Sequence, residues 1–163
     1  MPARQAFTLI EAMIASVILA VTVTAVSLPF TAGAQNEQDS ARVTLAVALA
    51  EELMEEILSK PFADPNGVQT PGPEAGETGR SLYDNIDDYH GYSEADGQIK
   101  DVNGVACTGL LAKGLSRGAL AEYVYLFGQS TAQSPSIIRV TVTVSYKGRA
   151  VSTLQRLVYR NGA

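Results

Sequence analysis

The chain has no tryptophan, one cysteine, one histidine, and no acidic residue after Glu122. Each shortage excludes something. With Cys107 alone, no intramolecular disulfide can form, and the residue reads as a small buried apolar group. With His90 alone, a histidine-based metal centre or a Ser-His-Asp triad would hang on one residue set in an acidic, aromatic loop. A formal net charge of −5 and the lack of clustered cations leave no nucleic-acid partner expected. The stretch Gly109-Leu110-Leu111-Ala112-Lys113-Gly114-Leu115-Ser116 brushes against a phosphate-loop pattern. It fails because no lysine follows Gly114 and no apolar strand precedes it. No catalytic constellation remains, so the expectation is a non-enzymatic protein. The cations Arg139, Lys147, Arg149, Arg156 and Arg160 all follow the last acid, which suggests a basic sheet facing an acidic helix of the same chain, with a basic docking patch as the alternative.

What the sequence does have is a long apolar run. The 163 residues suffice for one domain plus an anchor. Phe7 to Leu28 spans 22 residues with a single charge, Glu11. As a helix it would be roughly 33 Å long, about the thickness of a bilayer's hydrocarbon core. Arg4 ahead of it fits a cytoplasmic N-terminus. Three readings are open: a cleaved secretory signal ending at the small-residue pattern Ala32-Gly33-Ala34, a plain signal anchor, or a prepilin. Glu11 decides among them. A carboxylate at mid-membrane costs up to about 2.5–3.5 kcal/mol, and an ordinary signal or anchor gains nothing from that cost.

Phe7-Thr8-Leu9-Ile10-Glu11-Ala12 resembles the class III prepilin motif of type IV pilins and type II secretion pseudopilins. The resemblance implies that a dedicated peptidase cuts between Ala6 and Phe7 and N-methylates Phe7. Ala6 stands where the family usually has glycine. Glu11 becomes the fifth mature residue and meets the cationic N-terminus of a neighbouring subunit, so its charge is compensated only on association. Pro29 sits where pilins commonly have a helix-kinking proline. The segment from Leu49 to Leu58 with Pro61-Phe62 resembles minor pseudopilins of the I subfamily and MSHA-type or PilV-type minor pilins. The implied partners are other pilin or pseudopilin subunits, the prepilin peptidase, the inner-membrane assembly platform and membrane lipid. The implied location is the bacterial inner membrane, crossed once, and then an extracytoplasmic filament. The competing function is a signal-anchored or secreted periplasmic binding domain that uses residues 7–28 only for export.

The expected organisation is a leader (1–6), a transmembrane helix (7–28), an amphipathic helical stem (29–60) and an extracytoplasmic head (61–163). The fold class is α+β: a long N-terminal helix, bent at Pro29, packed on a small antiparallel sheet in the pilin-like lollipop form. Ala41, Leu45, Ala48, Leu49, Leu53 and Ile57, with Val47, Met54 and Leu58, form an apolar stripe. Glu51, Glu52, Glu55 and Glu56 read as a solvated face. Residues 63–81 are too rich in proline and glycine for regular structure. Strands are expected over 121–127, 138–146 and 150–159, the last two joined by a turn at Lys147-Gly148-Arg149. Between loop and strands lies Tyr83-Asp84-Asn85-Ile86-Asp87-Asp88-Tyr89-His90-Gly91-Tyr92, similar to a segment of the same minor-pilin families. Several type II pseudopilins hold Ca²⁺ in acidic loops. The oxygen donors available here are Asp84, Asp87, Asp88, Glu94 and Asp96, at a spacing that fits no EF-hand. The alternative is a polar turn pinned by Tyr83, Tyr89 and Tyr92 packing on the sheet.

Overall fold

The computed structural model describes residues 8–67, 70–130 and 135–160. The cleavage junction at Ala6 and Phe7 lies outside the described residues. The chain divides into two units, one ending at Ser40 and the other beginning at Ala41.

One helix, α1, runs from Leu9 to Leu58, with Pro29 inside it. In the first unit its apolar side chains, among them Ile10, Met13, Ile14, Val17, Ile18 and Leu28, are exposed. This part is long and apolar enough to cross a membrane. Its hydroxyls are satisfied inside the helix. Ser16, Thr22, Thr24 and Ser27 donate to the carbonyls of Met13, Ile18, Ala20 and Val23, at 2.5–2.8 Å. A β-branched, Thr-rich sequence would be a poor helix in water. In lipid the helix is enforced, because each polar group must find its partner within the segment.

The second unit takes the C-terminal part of α1 as one wall of its core. Ala46, Leu49, Ala50, Leu53, Met54 and Ile57 are buried at steps of three and four. The expected stripe is therefore rotated slightly: Ala48, Val47 and Leu58 face out, and Ala46 and Ala50 face in. The helix stops at Leu58, three residues before Pro61, whose ring disfavours helical backbone in the residue ahead of it.

A four-stranded antiparallel sheet forms the other wall, in the order β1 (Ser93–Glu94), β2 (Leu115–Val124), β3 (Ile137–Tyr146), β4 (Arg149–Tyr159). Leu115, Ala119 and Ala121 of β2 and Ile138, Val140, Val142 and Val144 of β3 share one core with the helix stripe. The alternation that marked β3 in sequence is what buries it. Lys147 (φ 49°) and Gly148 (φ 78°) make the two-residue turn to β4, the left-handed pair that a type I′ hairpin demands. Leu53 is wholly buried at the centre of this core. Leu53→Ala should therefore cost about 2–5 kcal/mol, read from denaturant unfolding of the full chain; a loss under 1 kcal/mol would show the helix to be loosely docked.

Two expectations need correction. The strand placed over 121–127 begins at Leu115 and ends at Val124, so Tyr125, Leu126 and Phe127 lie beyond it. Ser116, Arg117 and Gly118 hid its first half, being poor strand formers with a charge at an inward position. The C-terminal cations do not serve the helix glutamates. Arg139 pairs with Glu122 at 2.9 Å, while Lys147, Arg149, Arg156 and Arg160 are exposed.

Candidate functional site

At the start of α1, Thr8 and Glu11 close a reciprocal cap. The Thr8 N–H and hydroxyl donate to Glu11 Oε2 at 2.9 and 2.8 Å, and the Glu11 N–H donates back to Thr8 Oγ1 at 3.3 Å. This is the capping box, Thr-x-x-Glu, in which donors orphaned at a helix start are satisfied by side chains. The sequence carried that signal, yet Glu11 read there as a charge compensated only by a neighbour. The cap adds hydrogen bonds to that carboxylate from its own chain without neutralising its charge. All the bonds that the carboxylate accepts fall on Oε2; among the described residues, none reaches Oε1.

In the head, the five acids named as oxygen donors separate into two groups. Glu94 belongs to an ionic network with α1. Arg117, from the inward face of β2, donates from Nε to Glu94 Oε2 at 2.6 Å, from Nη1 to the Leu49 carbonyl at 2.9 Å, and from Nη2 to the Lys100 carbonyl at 2.7 Å. Arg80 joins Glu94 to Glu56, meeting Glu94 Oε1 at 3.3 Å and gripping Glu56 through Nε and Nη2. Glu52 lies 3.7 Å from Arg117 Nη1. Tyr89 adds a 2.8 Å hydroxyl bond to Glu56. Burial alone would push the Glu56 carboxyl up, but the hydrogen bonds from Arg80 and Tyr89 and the Arg80 charge hold it below the ordinary range. The four stem glutamates thus alternate in duty: Glu51 and Glu55 face solvent, and Glu52 and Glu56 face arginines. Asp96 is also elsewhere, accepting the Gly114 N–H at 2.6 Å. Gly114 itself (φ 87°) turns the chain into β2, and a Cβ there would sit 2.7 Å from the Tyr146 ring.

Asp84, Asp87 and Asp88 do come together, with two acids the sequence reading left in the loop, Glu74 and Glu77. Carboxylate oxygens of Glu74, Asp87 and Asp88 lie within 4.8 Å of one another, as do those of Glu77, Asp84 and Asp88. The turn that presents the aspartates is built locally. Asn85 Oδ1 accepts the Asp87 N–H at 2.7 Å, and Asp88 Oδ2 accepts those of Asp84 and Asn85 at 2.8 and 3.0 Å. The Tyr123 hydroxyl donates to Asp87 Oδ2. The Gly72 N–H donates to the Asp87 carbonyl at 3.0 Å and brings the 63–81 segment alongside. Burial, then the Asp88 charge, pushes the Asp87 carboxyl up to about 7. Burial, then the Glu77 hydrogen bond and neighbouring charges, does the same to Glu74, also to about 7. Burial raises Asp88 despite its two backbone bonds. Tyr83, Tyr89 and Tyr92 pack beside this turn, meeting edge to face at 5.0–6.1 Å. His90 follows the turn, its Nδ1 donating to the Ala121 carbonyl at 2.7 Å.

Comparison with known proteins bears on the N-terminal segment. Residues 1–27 match the family model described as the prokaryotic N-terminal methylation motif. No curated protein and no solved structure matched the chain. The matched segment takes in Phe7 to Glu11, the Thr8–Glu11 cap and most of the apolar run, which together support membrane anchoring. That motif on a long helix, with an antiparallel sheet in the second unit, supports the reading of the chain as a class III prepilin, a type IV pilin-like protein of α+β fold.

Proposed function

We propose that the chain is a minor pilin or pseudopilin, a non-enzymatic subunit of a type IV pilus or a type II secretion pseudopilus, placed at or near the tip. In this reading, prepilin peptidase cuts between Ala6 and Phe7 on the cytoplasmic face and methylates Phe7. Residues 7–28 hold the subunit in the inner membrane as a single span until the assembly platform lifts it into the filament. The observation that carries the reading is Glu11: one carboxylate in an exposed apolar helix, with Oε2 engaged by Thr8 and Oε1 left for the amine of a neighbouring subunit. The minor rather than major role rests on the likeness of the Leu49–Phe62 and Tyr83–Tyr92 segments to minor subunits, and on the loop-rich head.

The test is the mature N-terminus by mass spectrometry. N-methylated Phe7 is the expected result; a terminus at Gln35, or intact Met1, would overturn the reading. A second experiment separates the cap from the charge. Glutamine serves in a capping box as glutamate does, so Glu11→Gln keeps the helix start and removes the ion. We expect Glu11→Gln to be processed normally yet to lose most of its incorporation into filaments, read by immunoblot of sheared filaments. Wild-type incorporation would remove the charge from the mechanism.

A further inference from the structure

We propose that Glu74, Glu77, Asp84, Asp87 and Asp88 form a Ca²⁺ site that fastens the 63–81 segment to the Asp87–Tyr89 turn. Proximity of acids would not suffice, since exposed carboxylates often cluster on a solvated surface. Here the two aspartates of the 3₁₀ turn are withdrawn from solvent, and Glu74, Glu77 and Asp84 are half-buried beside them. Asp88 is 0% and Asp87 2% exposed. Asp88 Oδ1 and Asp87 Oδ1 are shielded from solvent and have no hydrogen-bond partner among the described residues; the same holds for Asp84 Oδ1. Each aspartate of the 3₁₀ turn uses Oδ2 to hold itself in place, through Tyr123 for Asp87 and backbone N–H groups for Asp88. Oδ1 of each is spared, and both aspartates belong to a three-carboxylate group.

A buried carboxylate without a partner is costly, and several sharing one site repel each other as well. The protein's usual remedy, an arginine, is in use elsewhere: Arg80 and Arg117 are committed to Glu56, Glu94 and Glu52. A bound cation is a compensation that these oxygens allow. The donors are all carboxylate oxygens, with no sulfur or imidazole, which selects a hard ion over zinc or copper. They come from two chain segments on side chains of unequal length. That suits Ca²⁺, with its six to eight ligands in flexible geometry, better than Mg²⁺, which demands a near-ideal octahedron. Asp88 belongs to both triads and is the hub. The tie matters because the described residues of the 63–81 segment hold no strand or α-helix, and between Asp64 and Gly79 the bond that reaches the turn is Gly72 N–H to the Asp87 carbonyl, Arg80 anchoring only the far end.

The experiment uses the full chain in detergent micelles, stripped with EGTA and titrated with CaCl₂ by calorimetry, alongside thermal melts with CaCl₂ or MgCl₂. The expected result is one saturable Ca²⁺ event and a melting temperature that climbs with Ca²⁺ concentration, because the ion binds only the folded state. Asp88→Asn should abolish the event and yet melt higher than wild type in EGTA, since the amide keeps an acceptor for the Asp84 and Asn85 N–H groups while one repelling charge goes. Glu77→Gln, at a more exposed position, should weaken Ca²⁺ binding at least tenfold with unchanged circular dichroism. The proposal is overturned by no saturable binding up to millimolar Ca²⁺, or by wild-type affinity in both variants. An equal response to Mg²⁺ overturns the assignment to calcium.

Discussion

Arg117→Ala should lower the stability of the full chain by about 3–5 kcal/mol, the range for removing one partner of a buried ion pair. The side chain is 0% exposed, and its guanidinium reaches two glutamates and two backbone carbonyls. Its loss leaves Glu94, itself buried, with Arg80, the Lys100 N–H and the Tyr92 hydroxyl. The carbonyls of Leu49 and Lys100 lose the donor as well, so the damage spreads from sheet to helix. Arg117→Lys should recover less than half of the loss. A single ammonium cannot reproduce a planar fork that meets a carboxylate and carbonyls in separate directions. With no tryptophan in the chain, unfolding is best followed by the near-ultraviolet circular dichroism of the packed tyrosines in urea. A loss below 1 kcal/mol would mean that Arg80 alone can hold Glu94.

In chelator, stability should fall as pH rises from about 4.5 to about 7.5. The sign follows from Asp87 and Glu74, each pushed up to about 7 in the folded protein by burial and by the charges around them. Unfolded carboxylates titrate near 4. Between those values the folded state holds protons that the unfolded state has released, so raising the pH favours unfolding, and the loss is complete above pH 7. The charges that raise the pair are acidic: Asp64, Glu77 and Asp88 act on both of them, and Asp84 completes the second triad. Glu56 acts in the opposite sense, its lowered carboxyl withdrawing stability only as pH drops through and below the ordinary carboxylate range. The two effects therefore occupy different windows. Melting temperatures taken every half pH unit in EGTA would test this, and a flat or rising profile between pH 5 and 7 would count against it.

Much of this architecture was legible in the residues, for reasons that differ by element. The apolar run, the stem stripe and the β3–β4 hairpin were readable because periodicity and turn chemistry are local. The first half of β2 was not. Its inward face includes Arg117, and only the arrival of Glu94 and two carbonyls from distant segments makes a charge acceptable there. Glu74 and Glu77 escaped for a related reason. They lie in a stretch without periodicity, and their meeting with Asp87 and Asp88 depends on how the loop folds back. Glu94 and Asp96, adjacent in sequence to the acidic turn, were drawn off by Arg80, Arg117 and Gly114. The Thr8–Glu11 cap was visible all along, but the cost of a charge in lipid drew attention to what lay outside the chain.

The hydroxyls folded back on the backbone of α1 have a consequence for traffic between phases. Because Ser16, Thr22, Thr24 and Ser27 already have their acceptors, these four hydroxyls need no partner from whatever surrounds the segment. Exchanging acyl chains for the apolar flanks of sister helices then breaks no hydrogen bond. Glu11 carries the one charge of the apolar run that such an exchange must place in its new surroundings.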